Sequence, residues 1–252
     1  FILIMRVLVG IDDTDNKDSR GTGYNSRQLA AAIESNNLGK VKGITRHQLF
    51  VHSDIPYTSQ NSSACLDVNT DRLDDLKLFA REFMTNIGAI GSDVGLCILQ
   101  WELVPDQVLN WGISAKSKVL TMKDAYELSR VHNIFLEGLT GTKDGIIGSL
   151  AAVGLRKGGN DGRFIWINSD KNLRDIEEFI HTIEVLKTYA GIDIVQFVDK
   201  QINIPGERVY LNGWARPILK DGKSVLLVDN EINNNDYEWK CSTKEFVKRV
   251  SN

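Results

Sequence analysis

The segment Gly10-Ile11-Asp12-Asp13-Thr14-Asp15 places three carboxylates within four residues, directly after an apolar run. That run, Val7-Leu8-Val9, is apolar and β-branched enough to predict a buried strand. The acidic residues would then lie at the carboxyl end of the strand, where α/β proteins commonly hold ligands. A polar segment follows and ends in Gly21-Thr22-Gly23, and residues 25–28 predict a helix start with a reciprocal cap. The pattern predicts a strand, an acidic loop, a glycine turn and a helix.

Carboxylates this close repel one another at pH 7, and a hard cation bound through oxygen relieves the repulsion. Asp12, Asp13 and Asp15 are therefore candidate Mg²⁺ ligands, and a metal held there would attract phosphate groups. The alternative is an acidic turn that caps a helix and faces solvent, as Asp-rich loops often do. The motif by itself leaves both interpretations open.

Length, composition and charge exclude several classes of protein. A chain of 252 residues with 42% hydrophobic residues and no low-complexity tract is expected to be globular. A net charge of −3 argues against nucleic-acid binding by bulk electrostatics, although a local basic face stays compatible with it. The apolar start, Phe1 to Met5, is too short for a membrane span. The odd and widely spaced cysteines, Cys65, Cys97 and Cys241, predict buried thiols in a cytoplasmic protein.

Hydrophobic periodicity predicts a mixed α/β chain. Strands are expected at 41–51, 64–68, 94–101, 164–167, 194–198 and 208–211, and helices at 25–34, 71–84, 107–116, 121–130 and 170–189. The Asp-Gly pair within 217–228 predicts a β-hairpin, followed by a polar loop at 230–236, a last strand and a short helix. Residues 64–101 have the strand-helix-strand order of half a ferredoxin-like repeat.

A second informative stretch runs from Glu137 to Ala152 and is rich in glycine. It predicts a helix with only small side chains on one face of its first turns, ending at Gly158-Gly159. Because a helix N-terminus offers unpaired N–H groups and a partial positive charge, this backbone is a candidate phosphate cradle. The pattern is neither a Walker A motif nor a dinucleotide fingerprint. The alternative is a helix that needs small residues to cross a neighbouring element closely.

Together these stretches resemble the archaeal family of enzymes that make agmatidine at the wobble cytidine of isoleucine tRNA, and its shorter relatives without the oligonucleotide-binding and zinc-ribbon domains. The resemblance rests on residues 9–15, on Ile55-Pro56-Tyr57 and the polar residues behind it, on Glu137-Gly138-Leu139, and on 141–154. The hairpin at 216–228 is similar as well. The four histidines, by contrast, have no metal-ligand spacing and are expected on the surface or in packing.

The resemblance implies an α/β (α+β) fold in which a kinase-like α/β domain is interleaved with a ferredoxin-like domain. Residues 5–63 and 137–168 would form the kinase-like, nucleotide-binding part. Residues 64–136 and 169–252 would form the ferredoxin-like part with the C-terminal hairpin. The implied cofactors are ATP and Mg²⁺, with ATP phosphorylating the cytidine carbonyl oxygen so that agmatine can displace it.

Carried over by position, Asp12, Asp13 and Asp15 would hold the metal and act in catalysis. In the family the acidic loop leads into a cysteine and threonines, one of which becomes phosphorylated; here Thr22 is the candidate catalytic stand-in, with Ser26 as another. The family's Gly-Asn-Gly after the Ile-Pro-Tyr motif is replaced by Asn61-Ser62-Ser63. The candidate nucleotide- and phosphate-binding residues are Gly21, Gly23, Asn61, Ser62, Gly141, Thr142, Gly145 and Gly148.

The sequence is expected to end before the family's tRNA-gripping domains, which, with its acidic charge, favours a small-molecule substrate over tRNA. The predicted function is therefore cytoplasmic, Mg-ATP-dependent phosphoryl transfer to a carbonyl or hydroxyl oxygen of a small metabolite or nucleoside. Two alternatives stay open: a catalytically silent nucleotide-binding protein, and the catalytic subunit of a split tRNA-modifying enzyme. No membrane partner is expected, and the oligomeric state is left open.

Overall fold

The computed structural model describes residues 3–57, 60–167, 173, 176, 179–230 and 236–251. These residues form a mixed α/β structure built on a 13-stranded sheet, which confirms the predicted fold class. Thr58 and Ser59 of the polar loop, most of 168–178 and residues 231–235 lie outside the described part, so the predictions made for them stay predictions. Among the described residues, no helix is long and apolar enough to cross a bilayer.

The first hundred residues form a β-α-β-β-α-β unit. Its elements are β1 (Met5–Asp12), α1 (Thr22–Ser35), β2 (Lys40–Gln48), β3 (Ser62–Thr70), α2 (Leu73–Ile87) and β4 (Gly95–Gln100). In the sheet the strands lie in the order β4-β1-β3-β2, antiparallel at every contact. The domain boundary predicted after residue 63 falls inside β3, which is hydrogen-bonded on both sides within this sheet. The division into two interleaved domains stays a prediction.

The sheet continues on both sides of this unit. The remaining elements are α3 (Asp106–Ser114), α4 (Met122–Val131), β5 (Phe135–Gly138), α5 (Ile146–Gly158), β6 (Arg163–Ile167), β7 (Ile180–Thr182), α6 (Ile183–Thr188), β8 (Ile194–Phe197), β9 (Lys200–Ile202), β10 (Arg208–Tyr210), β11 (Ile218–Lys220), β12 (Lys223–Asn230), β13 (Trp239–Cys241) and α7 (Lys244–Ser251). The edge strand β5 pairs with β4, and β2 pairs with β6, which continues the sheet into the C-terminal strands.

The helix predicted over 170–189 is wrong at Ile180–Thr182, which forms β7 and pairs with β10.

Both faces of the central sheet are covered, and the alternation of side chains along β1 shows how. Val7, Val9 and Ile11 point into a core shared with α1 and α2, whereas Leu8 packs with Leu150 of α5 on the other face. Because successive strand residues point to opposite faces, a continuous apolar strand is the pattern of a sheet buried on both sides. This layering leaves the loops that follow β1 and precede β4, which lie at the same edge of the sheet, to build a site.

Helix α5 is the central element of the second face, and ten of its 13 residues are buried. It crosses β1 so closely that a Cβ at Gly10 would lie 3.0 Å from the carbonyl carbon of Ser149 and closer still to its oxygen. A Cβ at Gly154 would overlap the backbone of α3 at Val108 in the same way. The predicted helix end is confirmed, since Gly159 follows α5 in the left-handed conformation at φ +76°. The small residues of α5 thus serve close packing, one of the two interpretations that the sequence left open.

Two buried groups of polar side chains link the sheet to α5 and to the segment that follows it. Asp67 of β3 is 1% exposed and accepts hydrogen bonds from Arg6 Nη2 at 2.6 Å and from Arg156 Nη2 of α5 at 2.8 Å. His47 of β2 is fully buried, and its Nδ1 lies 2.9 Å from Asp161 Oδ1, where burial lowers the pKa of the imidazole. With no solvent access, His47 belongs to the packing, in keeping with the role predicted for the histidines.

The hairpin predicted around Asp221 and Gly222 joins β11 to β12, and both turn residues have positive φ, +51° and +74°. Replacing Gly222 with alanine is expected to cost about 1–2 kcal/mol, because a Cβ is disfavoured in the left-handed region. Thermal unfolding should show a midpoint lowered by roughly 2–8 °C. Gly206→Ala is the matched control, since a Cβ there meets nothing within 4 Å and its φ is not positive. Equal midpoints for the two variants would contradict the turn assignment.

Candidate functional site

A cleft of about 310 Å³ opens where β1 ends, between the loop that follows β2, the loop that precedes α4 and the start of α5. Four carboxylates of the lining come from the end of β1 and the approach to α5: Asp12, Asp13, Asp15 and Asp144. Much of the remaining lining is apolar, although it also holds Asp54 and Lys118. The apolar side chains include Leu49, Ile55, Pro56, Tyr57, Val119, Leu120, Met122 and Ile147. A cleft with apolar walls and a few convergent polar groups is the usual form of a small-molecule site.

More carboxylates lie near Asp13 than the sequence indicated, because the charges of Asp144, which lines the cleft, and of Asp93, which does not, both act on it. Burial, followed by the charge of Asp13, raises the pKa of Asp12 to about 8. Burial and the charges of Asp93, Asp15 and Asp144 raise the pKa of Asp13 to about 6. Asp13 also has a left-handed backbone, at φ +49°, which is uncommon outside glycine and is found at functional sites. These five side chains are called the carboxylate cluster below.

The cluster fits a hard cation in part. Burial and the neighbouring carboxylates together raise these pKa values, so a bound cation would favour the ionised forms. Mg²⁺ typically binds through one or two carboxylates together with water and substrate phosphates. Asp12 and Asp13 supply such a pair. Among the described residues, however, no three His, Cys, Asp or Glu side chains are arranged to hold a metal ion together. The predicted metal set of Asp12, Asp13 and Asp15 is therefore not brought together as a three-carboxylate site.

Asp15 instead caps α1, which explains its separation from the other two. Its Oδ1 accepts hydrogen bonds from the backbone N–H and from the Oγ1 of Thr22, both at 2.9 Å. The reciprocal cap predicted at residues 25–28 is wrong, because the helix begins at Thr22 and Asn25 already lies inside it, donating to Thr14. A carboxylate at a helix N-terminus satisfies free N–H groups and the helix dipole. Thr22, 7% exposed, lines the cleft beside the cluster.

The start of α5 holds Asp12 in place. A Cβ on Gly148 would lie 2.5 Å from the Cγ of Asp12 and closer still to its Oδ2. At Gly145 the backbone N–H donates to Asp93 O at 2.9 Å, and a Cβ would overlap the backbone at Gly95. Both glycines line the cleft. They allow the Asp12 carboxylate and the strand ends to approach the helix N-terminus.

Gly141 and Thr142, predicted as part of a phosphate cradle, do not line the cleft. Their loop surrounds the carboxylate of Asp93, and the backbone N–H of Thr142 donates to Asp93 Oδ1. Gly141 has φ +50°, and a Cβ there would overlap the same oxygen. The loop therefore holds a carboxyl group of the protein itself, and its predicted contact with phosphate stays a prediction.

The other predicted residues divide between two places. Asn61 and Ser62 line the cleft, and Asn61 Nδ2 donates to Phe50 O at 2.6 Å. Gly21 and Gly23 border a neighbouring basic groove instead. Sequence reasoning missed Asp93 and Asp144 as members of the cluster, although each precedes an element predicted to start nearby, β4 and α5.

Comparison with known proteins gives structural neighbours. No protein-family model matches the sequence, and no curated protein matches it. Among solved structures, it is similar to a tRNA fluorescent labelling enzyme (28% identity, TM-score 0.53), to TiaS in complex with tRNA(Ile2) and ATP (27%, 0.54), and to TiaS in complex with tRNA(Ile2), AMPCPP and agmatine (27%, 0.52). TiaS is tRNA(Ile2) agmatidine synthetase. Each match covers 60% of this chain and 36% of the neighbour.

The chain thus has a TiaS-like fold over the matched part. The neighbours correct one prediction from the sequence. Two of them are complexes with tRNA, and none points to a small metabolite as the acceptor of a phosphoryl group, so the stated preference for a small metabolite over tRNA is not supported.

Proposed function

We propose that this chain uses ATP to modify an RNA, by chemistry related to that of tRNA(Ile2) agmatidine synthetase. The carboxylate cluster beside a cleft with apolar walls carries the proposal, because ATP-dependent activation requires a place where phosphate charge is neutralised and a base is held. The solved neighbours support it, since they include complexes with tRNA and with ATP or AMPCPP.

In this proposal the reaction activates a carbonyl oxygen on a nucleobase, with an amine as the later nucleophile. A bound Mg²⁺, held by Asp12 and Asp13, would supply neutralisation of the phosphate charge. The chain's own groups do the rest. Ile55, Tyr57 and Leu120 offer an apolar surface to a base and exclude water, while the α5 N-terminus keeps Asp12 directed at the cleft.

Thr22 would supply a hydroxyl beside the reacting groups, because it lines the cleft and its Oγ1 is oriented by the hydrogen bond that it donates to Asp15. Thr22→Val keeps the shape of the side chain and removes the hydroxyl, so we expect RNA-dependent ATP turnover to fall by about 100-fold. Thr22→Ser should retain most of it. Steady-state ATP turnover of both variants, with circular dichroism to verify folding, checks this expectation. Equal turnover in Thr22→Val and the wild type would remove Thr22 from the chemistry.

The function is tested by incubating the protein with ATP, Mg²⁺, a total tRNA pool and agmatine. The tRNA is then digested, and the masses of its nucleosides are measured by mass spectrometry. We expect ATP consumption that depends on tRNA and a nucleoside of increased mass. Asp13→Asn should lose both, whereas Asp18→Asn is the matched control, because Asp18 lies in the same loop but is exposed and outside the cleft. Tight binding of Mg-ATP without turnover would favour the catalytically silent alternative, and absence of ATP binding would refute the proposal.

A further inference from the structure

Two grooves next to the acidic cleft are lined by cations and, as far as the described residues go, by no carboxylate. One contains Arg46, Arg163 and Lys248, and the other contains these three together with Arg20, Arg27 and Lys244. In a chain of net charge −3 this is a marked separation of charge. These six residues are called the basic tract. It lies on the sheet at β2 and β6, between the N-terminal half of α1 and helix α7.

The centre of the tract is a pair of arginines that the fold places against each other. Arg46 of β2 and Arg163 of β6 are register partners on adjacent antiparallel strands. Like charges at directly opposed positions destabilise a sheet. Burial lowers the pKa of Arg46 and the charges of Asp15 and Asp12 oppose that shift, so Arg46 is partly neutralised by the carboxylate cluster and Arg163 is the less compensated of the two. The Nε of Arg163 is buried and has no hydrogen-bond partner in the part of the chain that the structure describes. Burial and the charges of Arg46 and Arg216 lower the pKa of Arg163 to about 10.

The tract is continuous with the cleft. Tyr57 and Gln60 line both the cleft and the first groove, and Arg46 and Gln60 line both grooves. Aromatic rings accompany the cations, since the Arg20 guanidinium lies 5.0 Å from the ring centre of Tyr24 and Trp214 lines the second groove. Rows of cations interleaved with aromatic side chains suit a strand of nucleic acid, whose phosphates and bases alternate.

We propose that the basic tract binds the phosphodiester backbone of the RNA strand whose target nucleotide enters the acidic cleft. This inference rests on the proposed function and adds to it a path for the strand, over β2 and β6 toward α7. The cleft repels phosphates that lack a cation, whereas the tract attracts them, so the strand would be held beside the cleft with one base turned into it. Charge complementarity and the shared lining residues select RNA as the occupant.

The test is the affinity of a fluorescein-labelled tRNA transcript, measured by anisotropy at several salt concentrations. Arg163→Gln with Lys248→Gln is expected to weaken binding at least tenfold and to reduce the slope of log K against log salt by roughly 1.4–1.8, about 0.7–0.9 per lost contact. The thermal midpoint should stay equal or rise, because the repulsion between Arg46 and Arg163 is relieved. The control is Lys200→Gln with Lys223→Gln, two exposed lysines outside both grooves, which should bind like the wild type.

Binding of Mg-ATP is measured separately on the same proteins, so that the two proposals can fail independently. Loss of RNA affinity in the tract variant with ATP binding intact supports the tract. Unchanged RNA affinity and salt slope would overturn it, as would a wild type that binds ATP but no RNA. Stronger binding to phosphatidylserine vesicles or to heparin than to RNA would overturn it too. A wild type that binds RNA through the tract but no ATP would refute the proposed function alone.

Discussion

Gly148→Ala is expected to lower ATP-dependent turnover at least 100-fold and to destabilise the protein by about 1–3 kcal/mol. The added Cβ would occupy the space of the Asp12 carboxylate, 2.5 Å from its Cγ, so either the carboxylate or the start of α5 must move. A displacement of about 1 Å in a group that positions phosphate is enough for a rate loss of this size. The measurements are steady-state ATP turnover in the presence of tRNA, the substrate class of the proposed function, and a urea unfolding curve.

The matched control is Gly158→Ala at the other end of the same helix, where a Cβ meets nothing within 4 Å. That substitution should leave turnover unchanged and raise stability by up to about 1 kcal/mol, because alanine restricts the unfolded chain more than glycine does. Wild-type turnover in Gly148→Ala would show that the position of Asp12 does not matter to the reaction. Equal losses in both variants would point to a general effect on α5 instead.

Those parts of the fold that depend on nearby residues could be predicted from the sequence. Strand β1 was predicted from three apolar residues, helix α4 from Thr121 and Asp124, and the C-terminal hairpin from Asp221-Gly222. In the structure the Thr121 side chain accepts a hydrogen bond from the Asp124 backbone N–H, and the hairpin has the two-residue turn that this dipeptide favours. In each case the residues that predict the element are part of that element or directly adjoin it.

The composition of the carboxylate cluster could not be predicted, because it depends on which loops meet. Asp93 and Asp144 come from the approaches to β4 and α5, and the packing of α5 on β1 and β4 through Gly10, Gly95 and Gly145 brings them to Asp13. The sequence showed that small residues open α5 but not whether a strand or a ligand would fill the space. The same limit applies to Gly141 and Thr142, whose anion proved to be Asp93.

The two interpretations of the acidic motif turn out to apply to different residues of it. Asp15 has the helix-capping role of an ordinary acidic turn, and its hydrogen bonds to Thr22 explain why its carboxylate is engaged. Asp12 and Asp13 have raised pKa values, and Asp12 lies in the cleft lining so close to Gly148 that a Cβ there would overlap its carboxylate, with the charge of Arg46 opposing its raised pKa only in part. Crowded, poorly neutralised carboxylates are a cost to the folded protein, which is the usual condition of a functional site.

That cost predicts a pH dependence in the absence of divalent cations. The ordinary aspartate pKa is near 4, whereas in the folded protein the pKa of Asp12 is about 8 and that of Asp13 about 6. Between pH 4 and pH 8 the folded state therefore binds more protons than the unfolded state. The free energy of unfolding should fall as the pH rises through this range. With EDTA present, we expect Asp12→Asn to be on the order of 2–4 kcal/mol more stable than the wild type at pH 8 and nearly equal to it at pH 4.5.

Urea unfolding of both proteins at the two pH values measures this difference, and Asp18→Asn, an exposed residue of the same loop, corrects for general charge effects. Adding Mg²⁺ at pH 8 should stabilise the wild type, because the bound cation offsets the unfavourable burial and repulsion of the Asp12 carboxylate. The stability of Asp12→Asn should stay almost unchanged, because this variant has no charged carboxylate at that position. If Asp12→Asn were less stable than the wild type at pH 8, Asp12 would be ionised and neutralised within the fold. The cluster would then be a structural charge network, and Gly148→Ala would affect stability without a separate effect on turnover.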